Sequence, residues 1–378
     1  MLPAVNRPVR KVLLGLLFVI AVVAAALFLK PVRLSLVNAL LPNAPDWPAP
    51  QRQLAAGDEG VIYYASRSPY DLEVIFDDIS EAPATTGKGY LSYPASASVS
   101  NRVPAMVIVP GSGGIAPGRE HEYAKWFNAR GVAAFVVEYY EPRGFGKDDN
   151  YLLRTASVTE FDLIADAYAA LVLLDTSPLI DGERVGIIGF SYGGMAARLS
   201  MDARIHAALA PQAPPFSLHV DVYGPCFQNL QSTDVGQAPL LTLRGTKDAS
   251  NDLDAGKVRE DELRALGTDV TAHVYEGAGH AWEVDRERFL SEDSPYIAGC
   301  ELQYDDNGRA MLGGEPLNEY SADAPHAAKM LARFTSASKL ESCVGWGYLV
   351  GRDTETRDRA YADLEVFLQA QWKLAAGL

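Results

Sequence analysis

Cysteine is scarce in this chain, with only three in 378 residues. That excludes a small disulfide-dense scaffold. Paired C-x-x-C strings, an H-E-x-x-H helix and a Gly-rich P-loop are all absent, so zinc-ribbon, zincin and P-loop chemistry have no motif to stand on. No internal repeat and no low-complexity tract appears beyond one proline-rich stretch. Acidic residues are missing from positions 1–45, which carry Arg7, Arg10, Lys11, Lys30 and Arg33. The remainder holds 28 basic against 48 acidic residues, within an overall net charge of −15. A body of that sign repels phosphate backbones and excludes nucleic acid as a natural partner.

What is present begins with Val12–Leu29, an unbroken apolar run of 18 residues. As a helix it would measure about 27 Å, close to the hydrocarbon thickness of a bilayer. Three basic residues precede it and two follow it, a bias towards N-in, C-out. Residues 1–33 are therefore expected to be a membrane anchor or a signal segment cleaved on export. In either case the acidic body would lie in the periplasm or outside the cytoplasm. Residues 34–58 carry Pro42, Pro45, Pro48 and Pro50 and are expected to form a stiff linker. Residues 59–378 form the folded domain. Cys300 and Cys343 share one irregular region, so a disulfide between them is expected in an oxidising compartment; three isolated core cysteines are the alternative.

Short apolar runs at Ala105–Val109, Val132–Val137, Val185–Ile188, Leu240–Leu243 and Val270–Tyr275 suit strands buried on both faces. Asp71–Phe76 and Gly89–Tyr93 read as a lead-in hairpin. Helical patterns fall at Arg119–Arg130, Val158–Leu174, Leu253–Leu266 and Thr356–Trp372, with Ser157 and Thr159 placed to cap the second. Strands alternating with helices predict a doubly wound, mostly parallel α/β sheet. Residues 283–350 break the rhythm. They read as an irregular excursion before the last helix, with a hairpin turn at Asp305–Gly308 and a helix near Ala324–Thr335.

Gly189-Phe190-Ser191-Tyr192-Gly193 matches G-x-S-x-G between a strand and a helix. That context fits a nucleophile elbow, where flanking glycines permit close backbone approach around a strained serine. Ser191 is the expected nucleophile. An acid and then a histidine are expected after later strands. Leu240–Asp248 supplies Asp248, with Asp252 and Asp254 as competitors. Val274–His280 supplies His280, the one histidine of six in the required setting. The backbone N–H of Tyr192 is expected to bind an oxyanion, together with that of Ser112 or Gly113 in the loop Pro110–Gly114. Trp282 stands where it could shield the site or simply pack. Cys226 is not expected to take part, because Ser191 occupies the elbow.

The strings PGSGG, GFSYGG, GTKDAS and GAGHAW, in that order, resemble the dienelactone hydrolase family of the α/β-hydrolase superfamily over roughly residues 85–285. The resemblance implies an α/β-hydrolase fold and an ester- or lactone-cleaving enzyme that needs no cofactor. Serine replaces the cysteine that some members use, as in esterase-type members. Tyr139–Gly144 resembles a loop bordering the active site, which implies that Arg143 meets a substrate carboxylate; a structural ion pair is the alternative. The expected function is a serine hydrolase of a small-molecule ester, lactone or related acyl bond. An acyltransferase, a peptidase or a non-catalytic binding protein on the same fold are the alternatives.

Overall fold

The computed structural model describes residues 29–374. The apolar run Val12–Leu29 lies outside them except for Leu29. Among the described residues no helix is long and apolar enough to cross a membrane.

Fourteen strands are described. They are β1 (Gly60–Arg67), β2 (Ala84–Ser92), β3 (Val103–Val109), β4 (Ala133–Glu138), β5 (Ile180–Phe190), β6 (His219–Val222), β7 (Gln228–Asn229), β8 (Leu240–Gly245), β9 (Val270–Tyr275), β10 (Phe289–Ile297), β11 (Leu302–Tyr304), β12 (Ala310–Leu312), β13 (Glu315–Pro316) and β14 (Val344–Val350). Eight form the main sheet in the order β1-β2-β4-β3-β5-β6-β8-β9. β2 runs antiparallel to both of its neighbours, and the rest pair in parallel. The doubly wound sheet expected from the apolar runs is present.

Period-two alternation explains why those runs look uniformly apolar. Along β3, Ala105, Val107 and Val109 face one core while Met106 and Ile108 face the other. β5 divides in the same way, with Ile187 on the first side and Ile188 on the second. Both faces are covered by helices, so neither can be polar. Each large aliphatic side chain buried this way contributes roughly 1.5–3 kcal/mol. The helix Glu160–Asp175 covers the first face. It starts on a capping box: Thr159 accepts from Phe161 and Asp162, and the Asp162 carboxylate accepts from the Thr159 N–H. Ser157 does not cap it; its hydroxyl donates to Leu153 O in the preceding helix. The helices Glu120–Asn128 and Thr354–Trp372 cover the second face.

Two expectations are corrected. Leu72–Asp78 is a helix, not a strand, with Leu72, Val74 and Ile75 buried. A six-residue apolar segment does not distinguish the two periods, and β1 takes the sheet position instead. The expected linker is helical at its start, since Lys30–Leu40 forms a helix with Pro31 in its first turn. Val37 and Leu41 pack on Tyr70, Ala156 and Met330, so this segment is docked on the domain. Farther along, Trp47 lies against Tyr63 and Leu54 is buried in the core. The expected excursion holds β10–β14 and a helix at His326–Ser336. β11 and β12 pair antiparallel across the Asp305–Gly308 turn, as its chemistry suggested. Cys300 and Cys343 form a disulfide, and Cys226 is free and buried.

Candidate active site

The site is assembled at the carboxyl ends of β3, β5, β8 and β9. Ser191 follows β5 with φ 55° and ψ −117°, a conformation that side-chain-bearing residues rarely adopt. Two neighbouring glycines make the turn possible. A Cβ on Gly189 would lie 1.9 Å from Gly193 O, and one on Gly193 would lie 2.3 Å from Val109 O. No larger residue fits at either position. The turn projects the Ser191 hydroxyl towards the loop after β9.

His280 stands in that loop with Nε2 2.9 Å from Ser191 Oγ. Its Nδ1 is 2.6 Å from Asp248 Oδ2. An ionised carboxylate only accepts, so Nδ1 carries the proton and Nε2 faces the hydroxyl as an acceptor. Burial pushes the Asp248 carboxyl up. Favourable electrostatics with the imidazole and hydrogen bonds from His280, Ser250 and Asn251 outweigh burial and hold it below its ordinary range. Ser250 donates to Oδ1 through both its N–H and its hydroxyl, and Asn251 Nδ2 donates to Oδ2. The competitors are occupied elsewhere: Asp252 caps the helix Leu253–Ala265, and Asp254 lies in its first turn.

The loop after β3 closes over the serine. Gly114 N–H donates to Gly111 O at 2.9 Å, which leaves Ser112 and Gly113 at the apex of the turn. Both line the cavity with Ser191 and His280. Tyr192 opens the helix after the elbow, so its N–H has no intrahelical acceptor. Sequence reading missed the groups that hold this loop. Tyr139 OH donates to Gly111 O at 2.9 Å and Tyr140 OH to Ser112 O at 2.8 Å. Arg119 lines the cavity while its guanidinium pairs with Glu120. The two adjacent tyrosines at the end of β4 were the available signal, but only their distance to the loop gives it meaning.

Arg143, expected at a substrate carboxylate, and Trp282, expected to shield the site or pack, are both committed to the fold. Arg143 Nη1 pairs with Asp166 at 2.7 Å and also donates to Tyr139 O, while Nε donates to Ser68 Oγ and Nη2 to Arg67 O. Its donors are committed to the fold, which is the ion-pair alternative. Trp282 is fully buried, edge-on to Tyr223 and Tyr275, and stands behind the histidine. The cavity measures about 350 Å³. The excursion contributes Ser294, Pro295 and Tyr348 to its wall. Among the described residues no group of three or more His, Cys, Asp or Glu is placed to hold a metal ion.

Beneath His280 lies a second buried acid. Glu283 accepts from Tyr223 OH at 2.6 Å and from Tyr123 OH at 3.4 Å. Burial pushes its carboxyl up to about 7, against the opposing pull of Tyr223 and Arg119. A carboxyl raised in the folded state binds its proton more tightly there than in the unfolded chain. Its stabilising effect is complete below about pH 4.5 and is lost as pH rises through about 7, a span worth about 3 kcal/mol. Glu283→Gln, which mimics the protonated form, should flatten that part of the stability profile. Urea denaturation at pH 5 and pH 8 checks this. Parallel profiles for the two proteins would show that Glu283 does not titrate in this range.

This chain is similar in part to several known proteins. The chain is 29% identical over 189 residues to a thiohydrolase of Eupenicillium brefeldianum, a match covering 47% of this chain and 58% of that protein. It is 24% identical over 231 residues to a protein of Bradyrhizobium named as a probable 2-oxo-3-(5-oxofuran-2-ylidene)propanoate lactonase, covering 57% of this chain and 86% of the relative. A solved structure of an esterase from Thermogutta terrifontis aligns at 16% identity with a TM-score of 0.42, covering 52% of this chain and 80% of that one. Residues 88–307 match the dienelactone hydrolase family, and the chain belongs to that family.

Proposed function

We propose that this chain is a serine hydrolase that cleaves a carboxylic ester, lactone or thioester through an acyl-enzyme. Ser191 Oγ attacks the carbonyl carbon while His280 Nε2 takes its proton. Asp248 holds the imidazole tautomer and stabilises the imidazolium. The N–H groups of Tyr192 and of Ser112 or Gly113 receive the developing oxyanion. His280 then protonates the departing alkoxide or thiolate. Water, activated by the same histidine, releases the acid and restores the serine.

The observation that carries this reading is the unbroken chain of hydrogen bonds from Ser191 through His280 to Asp248, at 2.9 Å and 2.6 Å. The thiohydrolase and lactonase names of the relatives support an acyl substrate. The test is turnover of phenyl acetate and of an acetyl thioester. Hydrolysis should occur in the parent and disappear in Ser191→Ala. Hydrolysis that survives the substitution would remove Ser191 from the reaction.

The catalytic body belongs to an extracytoplasmic compartment in this reading, tethered by Val12–Leu29 or released after cleavage. The apolar run with basic residues before it supports this, as does the Cys300–Cys343 disulfide, which persists in oxidising surroundings. A reporter enzyme fused to the C-terminus should be active only outside the cytoplasm. Cytoplasmic activity would reverse the topology.

A further inference from the structure

The excursion does more than lengthen the domain. β10 and β14 pair antiparallel from Phe289↔Val350 to Ile297↔Val344, forming a ribbon across the cavity mouth. Both ends of the ribbon are fixed. At one end, His280 N–H donates to Leu349 O at 2.7 Å and Gly351 N–H donates to His280 O at 3.0 Å. Gly279 permits that approach, because a Cβ there would lie 2.6 Å from Leu349 O. At the other end, Ala298 N–H donates to Cys343 O, and the Cys300–Cys343 disulfide closes the ribbon just beyond its last pair. The register shifts between Ser291 and Pro295, so three residues of β10 stand opposite Gly347 alone. This bulge delivers Ser294 and Pro295 to the cavity, beside Tyr348.

Tyr348 presents its ring edge-on to His280, with centroids 5.3 Å apart and planes at 76°. The side of the site it occupies follows from proton transfer. His280 Nε2 must reach the leaving oxygen or sulfur, so the leaving group lies against the histidine. The acyl chain extends from the other side of the carbonyl. A ring packed on His280 therefore meets the alcohol or thiol portion of the substrate.

We propose that Tyr348, held by a ribbon anchored on His280 and stapled by Cys300–Cys343, limits the size of the leaving group. This rests on the serine hydrolase reading and names the selectivity of the same site. It assigns the enzyme to acyl compounds with a compact alcohol or thiol and leaves the acyl portion to other walls. Opening the disulfide frees the ribbon end remote from His280 and relaxes the restriction.

The test measures kcat/KM of the full-length chain for phenyl acetate, 1-naphthyl acetate and phenyl octanoate. The two acetates differ chiefly in leaving-group size, and the octanoate reports on the acyl side. Tyr348→Ala should raise the naphthyl-to-phenyl ratio by about tenfold, the scale on which pocket shape discriminates apolar groups. The octanoyl-to-acetyl ratio should move much less. Tyr348→Phe, which keeps the ring, should retain the parent ratios. Dithiothreitol should shift the naphthyl-to-phenyl ratio of the parent in the same direction, and should have no further effect on Cys300→Ser/Cys343→Ser. An unchanged ratio in Tyr348→Ala, or equal movement of both ratios, overturns the proposal. A shift in Tyr348→Ala without any response to reduction overturns the role of the staple. A parent inert towards all three esters overturns the hydrolase reading, and this inference with it.

Discussion

Ser191→Ala is expected to lower kcat on phenyl acetate by about five to six orders of magnitude, and His280→Ala by a similar amount. The double variant should be no worse than either single one. The reason is that the hydroxyl and the imidazole act as one unit. Nε2 lies 2.9 Å from Oγ, and neither group has a catalytic purpose without the other. Without the base, the serine stays protonated. Without the serine, the base has no nucleophile to activate. The oxyanion donors are backbone groups and survive both substitutions, so a small residual rate over water should remain. Stopped or discontinuous assays with active-site-free controls measure this. Losses that multiply in the double variant would mean that the two residues serve separate steps.

Asp248→Asn carries the second large effect, a fall of about four orders of magnitude in kcat with little change in fold. The carboxylate accepts a hydrogen bond from Nδ1–H at 2.6 Å in a fully buried position. An amide in its place can present a donor to Nδ1, which would turn the imidazole to the tautomer with its proton on Nε2. That proton would then face the serine, and the base would be blocked. Asp252→Asn is the matched comparison, because Asp252 lies four residues away, caps a helix and accepts a long bond from Gly299 N–H, with no contact to His280. It should change stability by about 1 kcal/mol or less and leave kcat nearly intact. Equal losses in the two variants would show that the effect of Asp248→Asn is not specific to the imidazole.

Much of this site was legible in the sequence because its parts are local. The G-x-S-x-G turn states its own steric requirement: Gly189 answers to Gly193 O four residues on, although Gly193 also answers to Val109 O at the end of β3. Asp248 follows β8, which is buried throughout; His280 follows β9, whose run Val270–Tyr275 was expected to be buried on both faces but lies at the sheet edge and is largely accessible. The sheet was legible for the same reason, since β3, residues 133–137 of β4 and residues 185–190 of β5 are buried and carry no charged or polar side chain.

The illegible parts depend on contacts between distant segments. Arg143 looked like a substrate ligand because a loop arginine near a site has two equally good uses; Asp166, 23 residues away, decides between them. Ser250 and Asn251 were passed over because an ordinary turn sequence gives no sign of whose carboxylate it will hold. Tyr139 and Tyr140 act on a loop 28 residues earlier. The ribbon over the cavity was least visible of all. β10 and β14 are separated by the whole excursion, and the alternation within β10 is broken by its bulge. The segment at Leu72–Asp78 was misread because it is too short for its period to declare itself.

The most direct measurement is the location of the acyl group during turnover. Phenyl acetate is mixed with the protein, the reaction is quenched in acid, and the digested peptides are mapped by mass spectrometry. The expected result is a single acetyl group on the Ser191 hydroxyl, absent from Ser191→Ala and lost on incubation at neutral pH. Product formation with no acyl group on Ser191, or with an acyl group that forms equally well in Ser191→Ala, would contradict the proposed chemistry.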